Sequence, residues 1–209
     1  MIERLLKGRI WRAGPVPTFR RESIDVAILY GEPWQHLVAD DFLPADVLER
    51  SLKEVAAESY EYGIEYRGSG RIEFSLLRSE TLWRAVYSKS TVALLKQAFG
   101  VETVLNKQNM LQLRRMNEDT PDFPTHHDHV EGGNTIASFL YLSPGWSGEC
   151  GGRFNLYEAK EQGTPTSSIE PVQNRFLAFR TSPSHWHSVE RVRGWERLSV
   201  LALWDIEPS

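Results

Sequence analysis

The sequence of 209 residues contains one cysteine, Cys150. It can form no internal disulfide, and a single sulfur cannot supply a thiolate cage for zinc. No apolar run approaches the ~18 to 20 residues of a membrane-crossing helix, so no membrane partner is expected. Long blocks of lysine and arginine are also missing. With 24 basic against 28 acidic side chains and a formal net charge of -4, nucleic acid is disfavoured as a partner. Internal repeats and low-complexity tracts are absent. The opening stretch MIERLLKGRIWRAG spreads Arg4, Lys7 and Arg9 through the place where a secretory signal would be apolar. At ~100 to 200 residues per domain, these features lead to the expectation of one soluble, cytoplasmic domain over 1–209.

What the chain does have is six histidines, unevenly placed. His36 stands alone, His126, His127 and His129 form one cluster, and His185 and His187 another. Any metal would be held by nitrogen and oxygen.

The pattern divides the chain into an N-terminal part, about 1–100, and a β-rich part, about 101–209. Residues 1–35, with Pro15, Pro17 and Pro33, read as an extended arm or irregular cover. The segment LPADVLERSLKEVAAES has Leu43, Val47, Leu48, Leu52 and Val55 on one helical face, with Pro44 in the first turn. A second helical stretch covers about 80–99, broken around Ser88 to Ser90 and stopped by Gly100. From Leu111 onward, short β-branched or aromatic runs alternate with Gly, Pro, Asn and Ser clusters. Strands are predicted at about 109–116, 135–142, 153–158, 167–171, 175–180, 187–192 and 197–205. The fold class expected is α+β, with helices packed outside a β-sandwich or jelly roll.

In an extended THHDHV, His126 and Asp128 share one face while His127 and His129 share the other, so two ligand pairs compete. In SHWHSV, His185 and His187 fall together with Trp186 opposite. His126, Asp128 and His187 would supply three ligands from one side of an ion and leave the other side open, as in a two-histidine, one-carboxylate facial triad. Ten residues beyond His187, Arg197 lies in the apolar strand ERLSVLALW, sharing a face with Ser199 and Leu201. A cation there is costly to bury without an anionic partner. Two partners are open: a carboxylate ligand, which suits the guanidinium fork, or a structural acid such as Glu190 or Glu196.

Taken in order, HHD, SFLYLSPGW, GGRFNLY, NRFLAF, HWHSVERV and RLS resemble the Fe(II)- and 2-oxoglutarate-dependent oxygenases, in particular their prolyl 4-hydroxylase-like branch. The resemblance covers about 105–205, with a weaker echo in the helix from Leu43. It implies a double-stranded β-helix core, iron held by His126, Asp128 and His187, and 2-oxoglutarate bound at its distal carboxylate by Arg197, with Ser199 and Tyr141 assisting. It implies Fe(II), 2-oxoglutarate and O2 as cofactor and cosubstrates, with ascorbate as a reductant. Gly151 and Gly152 fit the family's GG turn, a structural role. The chain departs from the family at Met116, where many relatives carry a pocket tyrosine; Arg114 and Gln112 precede it on the same face. Arg114 is a candidate contact for an anionic substrate or cosubstrate.

The activity implied is hydroxylation of an unactivated C–H bond in an amino acid, a peptidyl residue or a natural-product intermediate, with release of succinate and CO2. Two other readings stand beside it. One is a cupin-like enzyme using His127, His129 and either His185 or His187. The other is a non-catalytic β-sandwich module that binds a ligand. Trp146 and Trp186 read as core or rim residues, and Cys150 as packing. His36 carries no assigned function. The loop MNEDTPDFPT and the N-terminal arm are expected at the pocket mouth.

Overall fold

Residues 27–62, 73–77, 79–106 and 111–208 are described in the computed structural model. In chain order they form β1 (Ala27–Tyr30), β2 (His36–Ala39), α1 (Ala45–Val55), β3 (Glu61–Tyr62), β4 (Glu73–Leu76), α2 (Glu80–Val86), α3 (Lys89–Phe99), β5 (Val101–Asn106), β6 (Gln112–Met116), β7 (Phe123–His126), β8 (Thr135–Tyr141), β9 (Phe154–Tyr157), β10 (Ser167–Ile169), β11 (Phe176–Arg180), β12 (Trp186–Val189) and β13 (Arg197–Pro208).

The helices start and stop on local chemistry. The Ser79 hydroxyl accepts from the backbone N–H of Leu82 at 3.0 Å, and Ser88 from that of Thr91 at 3.2 Å; each satisfies an otherwise orphaned donor. Gly100 ends α3 with φ +60°, a conformation that costs glycine little. The break between α2 and α3 falls at Tyr87 and Ser88, where the sequence places it.

From β6 onward the chain passes between two sheets. Four strands lie side by side as β11-β8-β13-β6, and four others as β10-β9-β12-β7. Consecutive strands change sheet, except β9 and β10, which pair as neighbours. This is a double-stranded β-helix. On the first sheet, β2 and β1 extend one edge, β4 and β3 extend the other, and β5 pairs with the C-terminal half of β13.

The long strand β13 shows how the alternation is used. Val200, Ala202 and Trp204 join an apolar core shared with α1, α2 and α3, together with Leu37, Leu113, Leu140 and Phe176. Its opposite face carries Arg197, Ser199 and Leu201 toward a second core between the sheets, lined by Met116, Phe139, Tyr141, Phe154 and Phe179. Every residue of β8 is buried, because that strand is covered on both faces.

Six strands, β1 to β5 and β7, were missed in the sequence reading. Residues 36–39 form β2, and β1 begins at Ala27; the expected irregular cover therefore holds only in part, and residues 1–26 lie outside the described region. β5 begins directly after Gly100, at the expected start of the β-rich part but ahead of the first predicted strand at about 109, and β4 precedes α2. β7 lies inside the stretch read as a loop. It contains Pro124, which removes a ladder donor, and it survives because it is the edge strand, paired only with β12. The other strands of the core begin and end within three residues of expectation.

Candidate metal centre

His126 closes β7 and His187 lies in β12. The two are directly opposed across the antiparallel pair, with ring centroids 4.3 Å apart. Asp128 follows two residues beyond the end of β7. Its Oδ1 lies 3.7 Å from His126 Nε2 and its Oδ2 3.4 Å from His187 Nε2. One atom from each of the three residues lies within 4.8 Å of the others, and no other such group of His, Cys, Asp or Glu occurs among the described residues.

Both imidazoles are oriented from behind. His126 Nδ1 lies 2.7 Å from the Pro124 carbonyl and His187 Nδ1 3.0 Å from the His185 carbonyl. A carbonyl only accepts, so each Nδ1 carries a proton, and in the neutral ring Nε2 presents its lone pair to the cluster. Burial, reinforced by neighbouring His187, pushes the His126 pKa down to about 4, which leaves the ring neutral in the metal-binding form. Burial works the other way on Asp128, but His187, His126 and Arg114 outweigh it and hold the carboxyl below its ordinary range. Two imidazoles and one carboxylate make a nitrogen and oxygen donor set for a divalent transition metal.

Arg197 is 3% exposed, and its neighbours are almost all uncharged. Its Nε donates to the Gly152 carbonyl at 3.0 Å, its Nη1 lies 3.3 Å from Ser199 Oγ and 3.8 Å from Met116 Sδ, and its Cζ sits 4.9 Å above the Tyr141 ring. Arg197 Nη2 and the Tyr141 hydroxyl are both buried without a hydrogen-bond partner. The acids considered as structural partners pair elsewhere, Glu190 with Arg153 and Glu196 with Arg115. Burial pulls the Arg197 pKa down and pushes the Tyr141 pKa up. A buried cation beside two idle polar atoms fits the distal carboxylate of a dicarboxylic acid. The residues present thus fit both Fe(II) and 2-oxoglutarate.

The backbone around Arg197 is specialised. Gly152 has φ +73°, and a Cβ there would lie 3.2 Å from Arg197 Cδ; at Gly151, φ +63°, it would lie 2.3 Å from the Arg191 carbonyl oxygen. Only glycine fits at either position.

Register gathers these side chains. Tyr141, Ser199 and Arg114 are partners in one row across β8, β13 and β6, and Arg197 pairs with Met116 in another. Arg114, half-buried, donates from Nε to Gln112 Oε1 at 2.6 Å and lowers the pKa of both His126 and Asp128.

The remaining histidines are elsewhere. His127 meets Trp186 edge-on at 4.8 Å, and His129 lies 6.4 Å from it. His185 stacks on Trp34 at 4.7 Å, and its Nδ1 is 2.6 Å from the Arg180 carbonyl. His36 is buried, stacked on Tyr30 at 5.1 Å, with Nδ1 2.9 Å from the Trp34 carbonyl. A three-histidine site of the cupin kind is therefore not assembled.

The comparisons follow from this geometry. Residues 114–204 match the model of the 2OG-Fe(II) oxygenase superfamily, and the triad, Arg197 and Tyr141 all lie within that span. The chain is 37% identical over 89 residues to a mouse (Mus musculus) protein named prolyl 3-hydroxylase OGFOD1; the match takes in 40% of this chain and only 16% of that protein. A Pseudomonas putida prolyl-4-hydroxylase superposes with a TM-score of 0.60 at 20% identity, over 83% of this chain and 93% of its own. A Trichoplax adhaerens prolyl hydroxylase in complex with a hypoxia inducible factor peptide fragment gives 0.61 at 16% identity, over 82% and 83%. These likenesses establish the double-stranded β-helix.

Sequence reasoning missed several residues that shape the candidate site. Phe154 stacks on His187 at 4.8 Å, and Phe179 packs beside it at 5.3 Å. Asn174, with φ +65°, joins its side-chain amide to both backbone groups of Leu43, while its own N–H donates to the Tyr141 carbonyl. Trp34 comes from the connection between β1 and β2. Their only sequence signal is apolar or turn character inside predicted strands and loops.

Proposed function

We propose that the chain is an Fe(II)- and 2-oxoglutarate-dependent hydroxylase acting on an amino-acid, peptidyl or natural-product C–H bond. The observation that carries the reading is the buried Arg197 guanidinium, with its idle Nη2 beside the idle Tyr141 hydroxyl, in the same inter-sheet core as His187. A metal site alone would not require a buried cation; a 2-oxo dicarboxylate does.

In this reading His126 Nε2, His187 Nε2 and an Asp128 oxygen hold Fe(II) from one side. Arg197, aided by Ser199 and Tyr141, binds the distal carboxylate of 2-oxoglutarate. When bound, iron and cosubstrate would supply, with O2 as oxidant, the oxidative decarboxylation of 2-oxoglutarate to succinate and CO2 coupled to C–H hydroxylation, one oxygen atom entering succinate and the other the product. The chain's own part is orientation and exclusion of water. The backbone carbonyls of Pro124 and His185 fix the imidazoles, and Phe139, Phe154 and Phe179 keep the site apolar. The names of the mouse relative and of both prolyl hydroxylase structures support peptidyl proline as the first substrate to try. Arg114, in the row beside Ser199, is the candidate contact for an anionic group. The lone cysteine suits a reducing, cytoplasmic setting.

The test is succinate formation from 2-oxoglutarate with Fe(II) and O2, screened over proline-containing peptides and free amino acids. Substrate-stimulated succinate that disappears in Asp128→Ala supports the reading. Succinate formation that survives Asp128→Ala overturns it.

A further inference from the structure

Trp34 lies outside the 114–204 span, on the connection that enters β2, yet its ring reaches the inter-sheet core and is 6% exposed. Besides an edge contact with His36 at 5.7 Å, four contacts fix it. The indole N–H donates to the Tyr157 carbonyl at 3.3 Å, one face stacks on His185 at 4.7 Å and 14°, and the ring lies 5.2 Å from Phe179 and 6.4 Å, edge-on, from His187. His185 is held at its other end by the Arg180 carbonyl at 2.6 Å. The backbone carbonyl of that same His185 receives the His187 Nδ1 proton.

We propose that Trp34 is a positioning residue for the metal centre: by clamping the His185 ring it fixes the His185 carbonyl, and so the tautomer and rotation of the His187 imidazole. The proposal rests on the reading of His187 as a ligand. Two routes connect Trp34 to that ring, directly through the edge contact and indirectly through His185. Both routes end on the His187 ring, so Trp34 acts through others. The β1–β2 unit thereby has a role beyond extending the sheet: it supplies the back wall of a site whose ligands all come from β7, β12 and the turn after β7. Partners that hold the second nitrogen of a metal-binding histidine typically contribute ~10- to 100-fold in metal affinity, and a residue one step further out is expected near the lower figure.

The experiment titrates the purified full chain with Co(II) and records both the dissociation constant and the visible spectrum of the bound ion. The variants are Trp34→Ala, Trp34→Phe, His185→Ala and Trp34→Ala/His185→Ala, with His187→Ala as the control. Trp34→Ala is expected to weaken Co(II) binding by roughly tenfold and to alter the spectrum, with Trp34→Phe restoring most of both. His185→Ala should act in the same direction, and the double variant should be little worse than either single one, because both break one chain of contacts. A Trp34→Ala protein with lowered thermal stability but native affinity and spectrum would show a merely structural residue and overturn the proposal. If Trp34→Ala fails to fold, native Co(II) binding by His185→Ala overturns it instead. Undiminished Co(II) binding by the His187→Ala control refutes the ligand reading itself, which is a separate outcome.

Discussion

At the scale of single residues, Arg197 and its neighbours divide between holding a charge and leaving room for one. Nε and Nη1 are occupied by Gly152 and Ser199, and Nη2 is not. Arg197→Lys keeps a cation but loses the planar fork, so one ligand contact and the Gly152 anchor cannot be made together. Charge-assisted hydrogen bonds contribute about 1.5 to 3 kcal/mol each, so the 2-oxoglutarate dissociation constant should rise ~10- to 100-fold while metal affinity alone stays near native. Separate titrations with metal and with 2-oxoglutarate would show it. Gly152→Ala attacks the same place from the backbone: the new methyl would press on Arg197 Cδ at 3.2 Å from a left-handed conformation. A loss of about 1 to 3 kcal/mol in urea unfolding, together with weaker 2-oxoglutarate binding, is the expected outcome. Native values for both would mean that the turn is not constrained as described.

Among the elements, Asn174 joins the entrance of α1 to the end of β8. Its side chain pairs with both backbone groups of Leu43 at 2.8 and 2.9 Å, and its backbone pairs with Phe42 and Tyr141. Asn174→Ala should lower stability by ~2 kcal/mol or more in urea unfolding, from two lost buried hydrogen bonds and a left-handed φ that alanine disfavours; a change of under about half that would contradict the clamp. The same elements show what could be read in advance. The helix face from Leu43 and the strands β8, β11 and β13 were legible because their apolar periods match the faces they bury. His126, Asp128 and His187 were brought together by two-residue alternation plus a cross-strand pair, although Asp128 lies past the end of β7, where strand geometry no longer applies. Strands β1 to β5 and β7 were not legible. They are short, they lie toward the sheet edges, and their pairing is decided by partners far along the chain. Trp34 was missed for the same reason: nothing local in GEPWQH indicates a partner in His185.

For the whole molecule, burial of neutral imidazoles sets the response to acid. Burial lowers the His36 pKa below its ordinary 6.5, against a smaller opposing effect from the Trp34 carbonyl. As pH falls through that value the unfolded chain takes up the proton first, so folding stability declines below about pH 6.5 and the native protein gains nothing above it. His36→Phe removes this contribution. The stability difference between native protein and variant should therefore shift in the variant's favour as pH falls from 7 to 5, measured by urea unfolding at each pH; a pH-independent difference would place the His36 pKa at its ordinary value. Depressed Asp40, paired with Arg175, adds to acid sensitivity at lower pH still. On the proposed reading the two sheets contribute to one centre, β7, the segment after it and β12 supplying the metal ligands and β6, β8 and β13 the row with Arg197, so cosubstrate binding should depend on the metal. That dependence is the central claim. Calorimetric titration of 2-oxoglutarate into the full chain loaded with Mn(II) tests it most directly. Binding that requires Mn(II) and is abolished in Asp128→Ala is the predicted result. Equal 2-oxoglutarate binding with and without the metal, or in the Asp128→Ala protein, would contradict the account.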